Sequence, residues 1–470
     1  MVGEPKDVKD VEDVESRATP SPSDALNTPP PDPFQIVLDA SERPAALPLR
    51  SRWIAVCIIC FSSTCVTSTS SMAAAAFPGL ESRFHVGVEV ATLSISLYIL
   101  GLAWIVGRNV IYRGTFLVFF LLNFPVAFAN NIAVHLIFRF LTGFCGSAFL
   151  VVGGGSIADL FPPNQVLLPV SIYTLSGFLG PFLGPLISGF INQHASWRVT
   201  FYVVLGWSAA QGILLSILVP ETYIPALTND KAQVRQETGD SRYFSTFDNR
   251  SKSVATILKI SISKPFLLML YEPMVLLLDI WSALLLGIGV HGFNLESVGL
   301  SYLGLGVGTI IGTATQYFWN RLDLDVRAKY QARGEKVPPE MCLFQGMAGA
   351  LLAPLGLFLF AFTIYPEVHW IVPIIVIMPF GVGLIYAFNS IVTFLVLTYR
   401  PHAASAMASN GFLRSVFACA LPLAAEPMFH KMTNVGATAF LAGMTLLMAP
   451  LPFVFFWLGP RLRRRSRYAV

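Results

Sequence analysis

The chain has 470 residues, of which 54% are hydrophobic and 12% charged, with a net charge of +4. That charged fraction is about half the usual soluble content, and a soluble core of this size has no use for so many unbroken apolar runs. The small positive balance needs no nucleic-acid partner, because its uneven placement along the chain accounts for it.

Residues 1–50 are acidic, polar and rich in proline, with almost no aromatic residues and no apolar leader. Such a composition predicts a disordered tail, so the first apolar run, from Trp53, is expected to direct targeting. About twelve runs of roughly 18–25 residues follow, each long enough to cross ~30 Å of hydrocarbon as a helix. They are 53–77, 89–106, 110–129, 132–157, 165–191, 199–219, 266–290, 297–319, 342–364, 370–396, 405–429 and 435–458. The one long interval, 220–265, carries Lys231, Arg235, Arg242, Arg250, Lys252, Lys259 and Lys264. The expected plan is a tail (1–50), a six-helix half (51–219), a charged linker (220–265), a second six-helix half (266–460) and a basic tail (461–470). Residues 250–264 suit a basic amphipathic helix on an anionic leaflet, and Arg461 to Arg467 suit anchoring of the last helix there. Trp53, Trp197, Trp319, Trp370 and Trp457 stand near span ends, where aromatic rings prefer the interface.

Positive charge orients the chain. With both termini in the cytoplasm, 26 of the 31 Lys and Arg fall on that side and only Arg83, Arg198 and Lys431 fall outside. Arg139 and Arg414 remain within helices. The opposite orientation would violate the insertion bias. The fold class expected is therefore an all-α polytopic membrane protein with cytoplasmic termini. The six cysteines, Cys57, Cys60, Cys65, Cys145, Cys342 and Cys419, lie in or at the ends of apolar runs, so no zinc site and no disulfide framework is expected. Cys57 and Cys60 have redox-motif spacing, but within a span they read as small packing residues. No nucleotide fingerprint is present, which argues against an ATP-driven pump; moving a solute needs no covalent chemistry, so neither a cofactor nor an enzyme activity is expected.

The fifth run contains Gly177, Gly180, Pro181, Gly184, Pro185, Ser188 and Gly189. Gly180, Gly184 and Ser188 recur every four residues and make a flat face for close helix approach, while the prolines remove backbone donors and bend the helix. Gly304, Gly308 and Gly312 form a matching face in the eighth run. Two such helices, one per half, are expected to meet at the boundary between the halves, although glycine favours ordinary packing in any membrane bundle. Arg139 is costly inside a span and must face a polar cavity, a partner or exposed carbonyls. Glu272 and Asp279, seven residues apart in the seventh run, share a helical face and suit a proton or an amine-bearing substrate. Tyr386 and Asn389 in the tenth run offer hydrogen bonds to a cavity or to packing, and Arg414 suits snorkelling to the cytoplasmic side.

These residues resemble the major facilitator superfamily, in particular its fungal drug:proton antiporters, which include polyamine exporters. The segment Gly177–Gly189 resembles the antiporter motif of the fifth helix. Arg139-Phe-Leu-Thr-Gly143-Phe-Cys-Gly146-Ser147 is similar to the fourth-helix arginine motif, and Pro220-Glu221-Thr222-Tyr223 to a mark that follows the sixth helix. The resemblance covers about residues 50–470. It implies a twelve-helix bundle of two six-helix halves built from inverted three-helix repeats. It also implies a proton-relay or coupling role for Arg139, and as partners the lipid bilayer, protons and a small-molecule substrate, with a monomeric protein most simply at the plasma membrane, or else the vacuolar one.

The chain departs from that family in two places. Members carry a longer connection between helices two and three; here Gly101-Leu-Ala103 runs into Trp104, and only the Gly107-Arg108 end of the gating motif remains, about ten residues short. A similar shortening follows Ile288. Three readings stand: proton-coupled export of small cationic or amphipathic compounds, a uniporter or symporter for a neutral nutrient, and a non-transporting or disabled variant. The fifth-helix motif favours the first.

Overall fold

The computed structural model describes residues 35–36, 42, 44–102, 111–161, 165, 167–220, 227–228, 231, 244–245, 295–334, 338–365, 368–369, 371–399 and 403–465. Their architecture is helical. The first set comprises α1 (Leu49–Ser71), α2 (Phe77–Phe84), α3 (Val88–Leu102), α4 (Ile111–Ala127), α5 (Ile132–Leu160), α6 (Leu167–His194) and α7 (Trp197–Leu218). The second comprises α8 (Leu295–Ala314), α9 (Gln316–Ala332), α10 (Leu343–Ala361), α11 (Ile371–Val376), α12 (Met378–Thr398), α13 (Ala403–Met448) and α14 (Leu451–Arg465). Every expected span except the seventh coincides with helix. The seventh, 266–290, lies outside the described residues, as do 103–110 and most of 220–265.

Six of these helical stretches are long and apolar enough to cross a membrane, and Val88–Gly101, Gly114–Ala127 and Ile132–Ser147 are shorter apolar helices. Large apolar side chains such as Ile217, Leu447 and Trp457 stand exposed on the outer faces. In water that arrangement would be costly; lipid removes the cost and leaves helices as the element that satisfies its own backbone. The protein is a multi-pass membrane protein.

Helix ends differ from the sequence expectation where polar or proline residues intervene. The eighth span does not stop near Trp319: after a break at Thr315 the chain continues as α9 to Ala332. An Arg327 Nε–Asp323 Oδ2 pair of 2.6 Å, four residues apart, supports this charged continuation, which apolar periodicity cannot register. The tenth span is divided between α11 and α12, with Pro379 in the first turn of α12, where a proline is best tolerated. The eleventh and twelfth spans run together through α13 and turn at Thr433, whose φ of 62° is the left-handed region that a β-branched residue seldom enters. Within the expected tail, Gln35–Ile36 pairs in parallel with Phe244–Ser245 of the linker, and Lys231 Nζ meets Glu42 Oε2 at 2.6 Å.

In the first set, α1 packs along α6, α5 lies between α3 and α4, and α7 packs on α4. In the second, α12 is sandwiched between α10 and α8, and α13 crosses α10. The sets are joined mainly by α6 with α8 and α3 with α13, and α6 also touches α9 and α12. Two apolar clusters belong to the first set. The third is built on α10 and α12 of the second, yet includes Phe178 and Phe182 from α6. One helix therefore belongs to the core of both.

Candidate functional site at the seam between the halves

The glycine faces of α6 and α8 do not meet each other. A Cβ at Gly180 would fall against Thr67 Oγ1 and within 2.7 Å of Ser68 N; one at Gly184 would fall against Ser71 Oγ and within 2.9 Å of Ser68 O. The face thus seats on α1, inside its own half. Thr64 Oγ1 donates to Ser176 O (2.9 Å) and Ser71 Oγ to Gly180 O (3.2 Å), tying the helices where Pro181 and Pro185 interrupt the ladder of α6. Gly177 is looser, with only Ser63 Oγ 3.9 Å from where its Cβ would stand. On α8, Gly304 faces Ile374 O, Gly308 faces Met378 O, and a Cβ at Gly312 would stand 3.2 Å from Val382 Cα, so that face seats on α11 and α12. The same device joins α3 and α5, where Gly101 faces Phe140 O and Gly143 faces Tyr98 O. Small residues let backbones touch, and here they knit each half internally.

What meets at the seam is aromatic. Phe182 lies beside Gly306 of α8, the Phe178 ring stands edge-on to Phe388 of α12 at 4.9 Å, and Arg414 lies over that ring at 5.0 Å. Arg414 is therefore held by an aromatic face and not simply extended toward the bilayer surface. Across the other contact, Ser96 Oγ of α3 donates to Cys419 O of α13 at 2.9 Å.

Arg139 is fully buried. Its Nη1 and Nη2 donate to Thr69 O (3.0 Å) and Ser70 O (3.3 Å), carbonyls of the last turn of α1 that lack helical partners. Its Nε donates to Ser94 O of α3 at 3.0 Å, and the guanidinium lies 4.6 Å over the Tyr98 ring. The cation therefore caps the negative end of α1 from a neighbouring helix. Among the described residues no carboxylate forms an ion pair with it. Of the alternatives the sequence left open, carbonyl satisfaction is the one the geometry displays. His135, one turn earlier on the same helix, is equally buried and bonds Ser94 Oγ at 3.0 Å and Val126 O at 3.3 Å. Sequence reading passed over it, although the four-residue spacing from Arg139 places both on one face.

Tyr386 and Asn389 are committed to protein partners. The Tyr386 hydroxyl shares a hydrogen with Thr315 Oγ1 at 2.6 Å, and its ring stands edge-on to Trp319. Gln345 Nε2 and Asn389 Nδ2 both donate to Gln316 Oε1, at 2.6 and 3.3 Å. These amides brace the α8–α9 junction against α10 and α12. No spacing in the sequence marks Gln316 and Gln345, because their bonds link residues 29 apart in the chain. Nearby, the buried Glu340 accepts from Arg463 Nε and Nη2, each at 2.9 Å, joining the start of α10's segment to α14. Glu272, Asp279, Gly107 and Arg108 lie outside the described residues; Gly189 is buried on α6. No group of side chains able to hold a metal occurs among the described residues.

Residues 53–422 match the family model described as Major Facilitator Superfamily. The chain is 43% identical over 380 residues to the efflux pump atB of Aspergillus terreus, covering 77% of this chain and 80% of that one. It is 35% identical over 438 residues to the probable drug/proton antiporter YHK8 of Saccharomyces cerevisiae, covering 88% and 84%. Among solved structures, the fold is similar to a peptide transporter POT in complex with alafosfalin, with a TM-score of 0.58 at 14% identity, over 92% of this chain and 100% of that one. It is also similar to the xylose transporter XylE from E. coli, with a TM-score of 0.57, over 87% and 97%. A helical bundle whose two sets are each knitted by glycines and meet along α6–α8 and α3–α13, with this family match over most of its length, is a membrane transporter and not an enzyme: the chain belongs to the major facilitator superfamily.

Proposed function

We propose that the protein exports small amphipathic or cationic compounds, drugs and polyamines among them, in exchange for protons. Residues 51–219 and 266–460 form two halves that rock about a central site while the 220–265 linker joins them. The observation that carries the reading is the double membership of α6. Its glycine face is locked to α1, so it must move with the first half; its Phe178 and Phe182 slot into the core of the second. Where α6 meets α8, rings lie against small residues and, among the described residues, no side-chain hydrogen bond has to break for them to part. Across α3–α13 the Ser96–Cys419 bond is the polar contact to be exchanged as the halves alternate between two packed arrangements. The direction of transport and the proton coupling follow the names of the two fungal relatives. Glu272 and Asp279 are the groups we assign to an amine or a proton, Arg139 to coupling, and Tyr386 and Asn389 to bracing the site. The protein works as a monomer in the plasma membrane, with both termini in the cytoplasm.

The test uses ethidium and spermidine in inside-out vesicles carrying the protein. Acidifying the lumen should drive uptake of the probe, and each uptake event should raise luminal pH. Transport that ignores the imposed gradient would indicate a facilitator instead.

A further inference from the structure

Beside Arg139 stands a second buried group that the reading above does not use. His135 has both ring nitrogens engaged: Nδ1 lies 3.3 Å from Val126 O and Nε2 lies 3.0 Å from Ser94 Oγ. A carbonyl can only accept, so Nδ1 carries a hydrogen, and in the neutral ring Nε2 then accepts from the Ser94 hydroxyl. The ring is thereby set as one neutral tautomer, fixed further by edge-on contacts with Trp197 and Phe201 at 6.3 and 5.3 Å. Ser94 is held twice from α5, by its hydroxyl through His135 and by its backbone carbonyl through Arg139 Nε. Whatever sets that turn of α3 sets where the guanidinium can lie.

The described groups around the ring offer an imidazolium no negative charge. Arg139 is a cation one turn away on α5, and Arg198 of α7 is a second, bonded to Ala129 O and Asn130 Oδ1 just beyond the end of α4. From α3 comes the Tyr98 phenol, which donates to Val66 O. The short helix α2 supplies apolar Phe77, Leu80 and Phe84 to the adjoining cluster. No carboxylate among the described residues forms an ion pair with His135 to compensate an imidazolium. Protonation at Nε2 would also force the Ser94 hydroxyl to turn.

We propose that His135 is a positioning residue: as the neutral Nδ1–H tautomer it holds Ser94, and through Ser94 it holds Arg139 in the place from which it couples protons to transport. The proposal rests on the antiport reading for what Arg139 does. His135 itself carries no transported proton.

Two substitutions separate this role from simple helix capping. Gln at 135 can present an amide oxygen where Nε2 lies and keep the Ser94 bond while losing Val126. Asn can present an amide N–H where Nδ1 lies and keep Val126 while losing Ser94. In ethidium transport by proteoliposomes across an imposed pH gradient, H135Q should retain the gradient-dependent part of the rate. H135N and S94A should each lose about fivefold of it, the ratio that one net hydrogen bond of ~1 kcal/mol supports. All variants should insert and purify alike. In histidine-15N-labelled protein in nanodiscs, the resonances missing from H135Q should report the neutral Nδ1–H form from pH 5 to 8. The reverse order, with H135N retaining coupling and H135Q losing it, would make His135 a cap of α4 and nothing more. A ring that titrates in that range would also overturn the proposal. A flat response to the gradient in the unmodified protein would refute the antiport reading and this role together, and is distinguishable because it precedes any substitution.

Discussion

Alanine substitutions along one face of α6 should separate two glycines that the sequence presents as equivalent. At Gly180 an added methyl carbon would lie 2.6 Å from Thr67 Cβ and 2.7 Å from Ser68 N. Ordinary carbon contacts are about 3.5–4.0 Å, so α1 would have to retreat by roughly 1 Å at this level. Overpacking of that kind costs about 1–3 kcal/mol. The retreat would also strain the Thr64–Ser176 and Ser71–Gly180 bonds, which at 2.9 and 3.2 Å have no slack, for about 1 kcal/mol each. Gly180→Ala should therefore destabilise by ~3 kcal/mol. At Gly177 the methyl would stand 3.9 Å from Ser63 Oγ, an ordinary contact. Gly177→Ala should be neutral or better, since alanine in a helix is favoured over glycine by about 1 kcal/mol. Gly184→Ala should fall between, because one of its clashes is with the movable Ser71 hydroxyl. Thermal unfolding of a fluorescent fusion in detergent, followed by size-exclusion chromatography, would rank the three. Equal midpoints for Gly177→Ala and Gly180→Ala would refute the α1–α6 seat.

Other outcomes follow from the same geometry. Arg139→Ala should lower the unfolding midpoint in detergent as well as uncouple transport, since it orphans the carbonyls of Thr69 and Ser70 at about 1–3 kcal/mol each; Arg139→Lys should rescue poorly, because a point charge cannot span three acceptors. A variant that melts like the unmodified protein would contradict the capping role. Glu340→Gln should cost about 1–3 kcal/mol by removing the charged acceptor of two Arg463 hydrogen bonds, whereas replacing both residues by apolar ones should restore most of it; thermal melts of the single and double variants measure this. Tags before Trp53, within 220–265 and after Arg461 should react with impermeant reagents only after cells are opened, and labelling of the linker in intact cells would reverse the proposed orientation. Comparing transcripts with genomic DNA around codons 103–104 and 288–289 tests the two shortenings: an in-frame stretch restoring family-length helices would mark this chain as a mis-spliced or misannotated form, and its absence would establish the short form as the encoded one.

Much of the bundle is written in the chain because a bilayer asks for one simple thing, about twenty apolar residues per crossing. Hence the spans that fall on described residues were legible, including α6 with its prolines. Where a helix is sustained by ion pairs or broken by a single backbone torsion, as in α9 and at Thr433, hydropathy says nothing. The candidate site was legible one residue at a time. Arg139 announced itself by the cost of a buried charge, but its acceptors are backbone carbonyls on two other helices, and a carbonyl has no letter in the sequence. His135 was readable in principle from its spacing. The amides of Gln316 and Gln345 were not, because ordinary polar residues near span ends are expected to be wet.

Composition, the spacing of apolar runs and the placement of lysine and arginine therefore determined by themselves that this is a helical membrane protein, and the motifs of the fourth and fifth helices pointed to its family. Tertiary structure alone decided what each flat face touches. A four-residue glycine repeat specifies that some backbone will approach closely, without naming it. The approach depends on how helices rotate and cross, and that is set by the sum of many small contacts distributed over both partners. The result was the opposite of the simplest pairing: glycines bind each half to itself, and aromatic rings, which the sequence offers everywhere, form the seam.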